Sequence, residues 1–128
     1  MAVWYPEIFH HPIMHELAVT ESILEIALRH AEQANAGRIT DLYLVIGQLA
    51  SIVDDSVSFY WDMISADTIA QGATLHFRRI PTEMQCQDCS TKYQPSKNDF
   101  TCPSCSSTKI KIVSGEEFFL ESIHIDNK

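Results

Sequence analysis

Residues 84–110 read MQCQDCSTKYQPSKNDFTCPSCSSTKI, and they hold all four cysteines of the chain: Cys86 and Cys89, then Cys102 and Cys105. Each C-x-x-C pair is a short bidentate clamp, because the two intervening residues let both sulfurs point into one concavity. Two clamps facing each other make a four-thiolate tetrahedron, which suits Zn(II) and less often iron. A closed four-sulfur shell leaves no open position for a catalytic water, so a scaffold role is expected. A thioredoxin-type redox role needs a C-x-x-C at a helix start within a βαβ unit, and neither pair has that context. The segment has few apolar residues of its own, so metal binding is expected to supply much of its folding energy.

Working outward, the cysteine segment interrupts strands. Before it, ATLHFRRI (73–80) alternates, with Leu75 and Phe77 on one face and His76 and Arg78 on the other, a half-buried strand. After it, KIKIV (109–113) and FFLESIHID (118–126) read as strands around a turn at Ser114 and Gly115. Further upstream, MHELAVTESILEIALRHAEQANAG (14–37) places Leu17, Leu24, Leu28 and Ala31 on one helical face, widened by Val19, Ile23, Ile26 and Ala27. That helix is expected to end near Asn35 and Gly37. Leu42–Ile46 is an apolar, β-branched run, a strand buried on both faces or nearly so. DDSVSFYWDMISADT (54–68) starts a second helix, with Asp54 or Asp55 as N-cap, Val57, Tyr60, Trp61 and Ile64 at helical spacing, and Gly72 as the stop.

The expected fold is therefore α+β: a small mixed sheet flanked by two helices, with an inserted four-cysteine zinc-ribbon module. The expected divisions are an N-terminal extension (1–13), an α/β domain (14–81 and 114–128) and a zinc-binding domain (82–113). The extension shows no helical or strand period. It is left open whether it docks on the domain or stays loose.

Composition bounds the function. At 128 residues, 45% of them apolar, the chain can bury a core in one domain with a small module. The formal net charge of −8 argues against a phosphate backbone as the main partner. Within 82–106, Lys92 and Lys97 face Glu83, Asp88 and Asp99, and Tyr93 and Phe100 are the only aromatics, a poor surface for nucleic acid. No run of 18 apolar residues exists, and MAVWYPEIFHHPI (1–13) lacks the basic start and unbroken apolar stretch of a signal peptide. A cytoplasmic location is expected, where cysteines stay reduced and favour metal over disulfides. No enzyme signature appears: there is no G-x-S-x-G, and Val19 stands where a metalloprotease helix beginning at His15 needs its second histidine. His30, His76 and His124 have no cysteine or histidine partner at metal spacing and read as surface or strand-face residues. His10 and His11 read as part of a polar tail.

MHELAVTESIL (14–24), LVIGQLASIV (44–53), SFYWDMISADT (58–68), C-x2-C-x12-C-x2-C and SGEEFFLESIHI (114–125), in that order, resemble the HypA/HybF nickel metallochaperones. The resemblance spans Met14 to about Ile125. It implies a nickel-binding α/β domain beside a zinc domain. Ni(II) is held as transient cargo at Met14, His15 and Glu16, and structural Zn(II) on Cys86, Cys89, Cys102 and Cys105. It further implies delivery of nickel to the [NiFe] hydrogenase large subunit with a maturation GTPase, and in some organisms service to urease maturation proteins. No nucleic-acid or membrane partner is implied, and monomer and dimer both remain open. The alternative reading is a zinc-ribbon module for protein or nucleic acid without nickel delivery.

The chemistry of the Met-His-Glu opening fits a cargo site. Ni(II) accepts tetragonal nitrogen and oxygen donors, and an imidazole, a backbone nitrogen and a carboxylate from consecutive residues form small chelate rings. Here thirteen residues precede that opening, so the nitrogen of Met14 is an amide joined to Ile13 rather than a free amine. Either translation starts at Met14, or the extension is cleaved, or nickel takes other donors, with His10 and His11 in reach along the chain.

Overall fold

The computed structural model describes residues 2–8, 16–50, 54–96 and 99–128. The elements run β1 (Ala2–Ile8), α1 (Glu16–Gln33), β2 (Ala36–Gly47), α2 (Asp54–Ile64), β3 (Thr74–Ile80), β4 (Glu83–Cys86), β5 (Lys92–Tyr93), β6 (Ile110–Ser114) and β7 (Phe118–Asn127). They form two sheets, ordered β1-β7-β2-β3 and β5-β4-β6. The fold is α+β, as the sequence pattern implies. The chain divides into two compact units, one of residues 1–45, 51–78 and 118–128, the other of 46–50 and 79–117.

In the first unit, α1 packs against α2 and touches β7. The buried stripe of α1 is Val19, Thr20, Ile23, Leu24, Ala27, His30 and Ala31. Leu17, expected on that stripe, is 38% exposed, and Leu28 is half-buried. His30 corrects the expectation of a surface residue. It lies seven residues after Ile23 and three after Ala27, so helical periodicity turns it inward despite its polarity. The helix ends where Ala34 N–H donates to the His30 carbonyl and Asn35 takes a left-handed conformation (φ 55°). Asn tolerates that conformation, so Asn35 is the stop and Gly37 already lies in β2. In α2 the expected face is correct, with Val57 and Trp61 buried and Tyr60 and Ile64 half-buried. The helix stops at Ile64 rather than running on to Gly72, and turns fill most of the interval. Ser65 N–H and its hydroxyl both donate to the Trp61 carbonyl there, occupying an acceptor that the helix end leaves open.

β2 carries the core of the sheet: Ile39, Leu42, Leu44, Val45 and Ile46 are at most 2% exposed. The extension, which has no strand period in sequence, supplies β1, antiparallel to β7 with Ala2 opposite His124 and Ile8 opposite Phe119. The register shifts between Trp4 and Glu7, and Pro6 lies inside that irregularity. Proline has no N–H for the ladder and is tolerated at an edge or bulge. Its partner strand lies at the other end of the chain, a pairing that local side-chain alternation does not announce.

In the second unit β4 is the central strand, with Met84 opposite both Tyr93 and Ile112. The strand reading of 109–113 holds, but the strand joins this separate sheet. The unit also takes in residues 46–50, which the sequence assigns to the α/β domain. Gly47 N–H donates to the Glu117 carbonyl, Leu49 N–H to the Gly115 carbonyl and Gln48 N–H to the Ile80 carbonyl. The backbones approach so closely that a Cβ on Gly47 would lie 2.0 Å from the Gly115 oxygen. Neither atom belongs to a flexible side chain, so Gly47→Ala is expected to destabilise by about 1–3 kcal/mol, as overpacking does. Urea denaturation of parent and variant measures this, and a change below about 0.5 kcal/mol would contradict the close approach.

Candidate metal centre

The four cysteines converge. Their sulfurs all lie within 4.8 Å of one another, with Cys86 Sγ 3.5 Å from Cys105 Sγ and Cys89 Sγ 3.5 Å from Cys102 Sγ. Zinc–sulfur bonds of about 2.3 Å at tetrahedral angles require sulfurs roughly 3.8 Å apart, so the cluster fits such an ion. Among the described residues it is the only group of three or more metal-ligating side chains whose donor atoms converge this way.

The two clamps are built alike. Cys86 closes β4; its amide donates to the Thr91 carbonyl, and the Ser90 amide donates to its carbonyl at 3.0 Å. Around the second pair the Cys102 amide donates to the Ser107 carbonyl and the Ser106 amide to the Cys102 carbonyl at 2.9 Å. Ser90 and Ser106, each directly after the second cysteine of its pair, adopt left-handed conformations (φ 64° and 61°). Backbone amides point at the leading sulfurs: Asp88 and Cys89 N–H donate to Cys86 Sγ and Ser104 N–H to Cys102 Sγ, each at 3.4 Å. Sequence reading does not single out the two serines. The parallel CQDCST and CPSCSS are the available signal.

These contacts favour thiolates unequally. The Thr91 hydroxyl, 3.1 Å from Cys89 Sγ, with help from the Thr91 backbone and Cys102, brings Cys89 down to about 6. The Cys89 amide lowers Cys86, against the cost of burial and with help from Asp88 N–H. At Cys105 the Ser107 amide favours the thiolate, but sharing with Cys86 and Cys89, burial and Cys102 outweigh it and push that thiol up to about 12. Four anionic sulfurs cannot sit together without a cation. Cys86 and Cys102 are buried, whereas Cys89 and Cys105 are exposed. The arrangement can hold a dication as a structural clamp.

Of the expected nickel donors, Met14 and His15 lie outside the described residues, as do His10 and His11. Glu16 is the first residue of α1 and is half-buried. Among the described residues no helix is long and apolar enough to cross a membrane.

Comparison with known proteins is consistent across sequence and fold. The family profile described as "Hydrogenase/urease nickel incorporation, metallochaperone, hypA" matches residues 14–125, beginning at the Met-His-Glu opening. A hydrogenase maturation factor HypA of Dehalococcoides mccartyi is 41% identical over 115 residues, covering 90% of this chain and 97% of that protein. A hydrogenase maturation factor HybF of Escherichia coli O157:H7 is 33% identical over 113 residues, covering 88% and 100%. The solution structure of the Ni metallochaperone HypA from Helicobacter pylori shares the fold, with a TM-score of 0.64 at 23% identity over 90% of this chain and 100% of that one. The chain belongs to the HypA/HybF family of hydrogenase maturation factors and nickel metallochaperones.

Proposed function

We propose that this protein carries Ni(II) on the segment Met14–His15–Glu16 and passes it to the large subunit of a [NiFe] hydrogenase, while Zn(II) on Cys86, Cys89, Cys102 and Cys105 shapes the second unit. The observation that carries the reading is the family match over 14–125, which starts at the Met-His-Glu opening. His15 contributes the imidazole, Glu16 a carboxylate at the start of α1, and the segment a backbone nitrogen, donors that a tetragonal nickel site accepts. A cargo site must release its ion. A short chelate of consecutive residues exchanges readily, whereas a closed four-thiolate shell retains its metal, so the two metals take different roles. The protein works in the cytoplasm with a maturation GTPase, and no step is catalysed by its own side chains. The acidic balance weighs against the zinc-ribbon alternative of nucleic-acid binding.

The test is a Ni(II) titration of the zinc-loaded 1–128 chain beside His15→Ala. The parent is expected to bind about one Ni(II) per chain at this segment, and the variant to lose it. Equal binding by both chains, or none by either, would remove Met14–Glu16 as the cargo site.

A further inference from the structure

The face of the four-stranded sheet opposite Leu42 and Leu44 carries a set of donors that the cargo and clamp sites do not use. Asp41 and Tyr43 come from β2, His76 from β3 and His124 from β7. The strand order places the two histidines on the strands that flank the carboxylate. His76 Nε2 lies 2.9 Å from Asp41 Oδ1, and His124 Nδ1 lies 3.9 Å from Oδ2. The Thr40 hydroxyl donates to Oδ2 at 2.8 Å. Tyr43 stacks on the His76 ring, with centroids 4.5 Å apart and planes 9° from parallel, and meets His124 edge-on at 6.2 Å. The hydrogen bond from His76, then that from Thr40, holds the Asp41 carboxyl below its ordinary range, so it is an anion. On the same face Arg78 is matched by Glu121 at 2.6 Å, so its charge does not stand unopposed beside the group.

A plain surface ion pair needs one histidine. Here two imidazoles approach the two oxygens of one carboxylate, and one ring is fixed by stacking. We propose that Asp41, His76 and His124 form a second site for a borderline divalent transition metal of the Ni(II) or Zn(II) class. Two imidazoles and a carboxylate, with water completing the shell, are a donor set these ions accept. The nitrogens do not yet meet at one point. His124, with its side chain 48% exposed, turns about its own torsions between staggered rotamers to complete the set. Asp41 either binds the ion or orients His76 through the hydrogen bond already present. Such a site closes on its ion instead of being preformed, so it exchanges metal more readily than the cysteine cluster. The proposal does not rest on nickel binding at Met14–Glu16.

Equilibrium dialysis of zinc-loaded full-length chains against Ni(II) tests it, using the parent, His15→Ala, His76→Gln with His124→Gln, and all three changes together. Loss of the two sheet histidines is expected to remove one nickel ion per chain, or weaken its binding by about tenfold or more, with His15 present or absent and with zinc content unchanged. If nickel binding is the same with and without His76 and His124 in both backgrounds, the site does not exist. If His15→Ala retains all its nickel while the sheet variant loses one ion, the cargo reading fails and this site stands. Should the variants misfold, acylation of histidines by diethyl pyrocarbonate in the unmodified chain, mapped by mass spectrometry, decides the matter. Saturating Ni(II) is expected to protect both His76 and His124, and unchanged modification of the pair overturns the proposal.

Discussion

Removing the metal from the four-cysteine cluster, or replacing Cys102 by serine, is expected to unfold residues 79–117 while both helices persist. The second unit has little else to hold it. Its own short strands are four, two and five residues long, and among the described residues of the unit the buried apolar side chains are Ile46, Met84, Cys86 and Cys102. Two of those four are cysteines of the cluster. Ordering each residue costs about 1–2 kcal/mol of backbone entropy, and a core this small does not offset that cost. A four-thiolate zinc site contributes an apparent folding energy of about 10–16 kcal/mol, enough to decide whether the unit is folded. The pH dependence has a definite sign. The Cys105 thiol, held up to about 12 without metal, must lose its proton when a dication enters. Loading therefore releases protons near neutrality, and metal affinity falls as pH falls. Amide hydrogen exchange after chelation should show protection lost across β4 and β6 and kept in α1 and α2, with the helical circular dichroism retained. Unchanged protection in 83–114 after verified metal loss would show that the sheet folds on its own.

The legible part of this molecule is what local chemistry dictates. The C-x-x-C spacing places four sulfurs within reach of one ion because each clamp is a local turn. The apolar spacing of Val57 and Trp61 puts both in the core because helical periodicity is local too. What long-range pairing decides is not legible. β1 is recruited by the backbone of β7, at the other end of the chain, and its own side-chain pattern does not report that. Residues 46–50 belong with the second unit because Gly47 and Gly115 let two backbones meet, and neither glycine alone signals it. His30 goes against its expected place because position on the helix outweighs polarity. The grouping of Asp41, His76 and His124 arises only once three strands lie side by side, although their strand-face placement follows from alternation. Met14 and His15 carry their meaning through resemblance alone, since they lie outside the described residues.

Trp61→Ala is expected to cost about 3–5 kcal/mol, the range for emptying a large aromatic site in a core. The reason lies in how few side chains fix α2. Of its eleven residues only Val57 and Trp61 are buried, one helical turn apart, at 0% and 1% exposure. Phe59 and Met63 are exposed, at 62% and 55%, so no second apolar stripe shares the attachment. Trp61→Phe keeps a large aromatic ring and should lose less than half as much. Urea denaturation followed by helical circular dichroism separates the two variants, and Trp61→Ala should lower the thermal midpoint by more than about 10 °C. Zinc content serves as the control, because the four clustered cysteines lie in the other compact unit. A cost for Trp61→Ala below about 1 kcal/mol would mean that α2 is held by its backbone and polar contacts. The amphipathic reading of 54–64 would then be right about burial and wrong about energy.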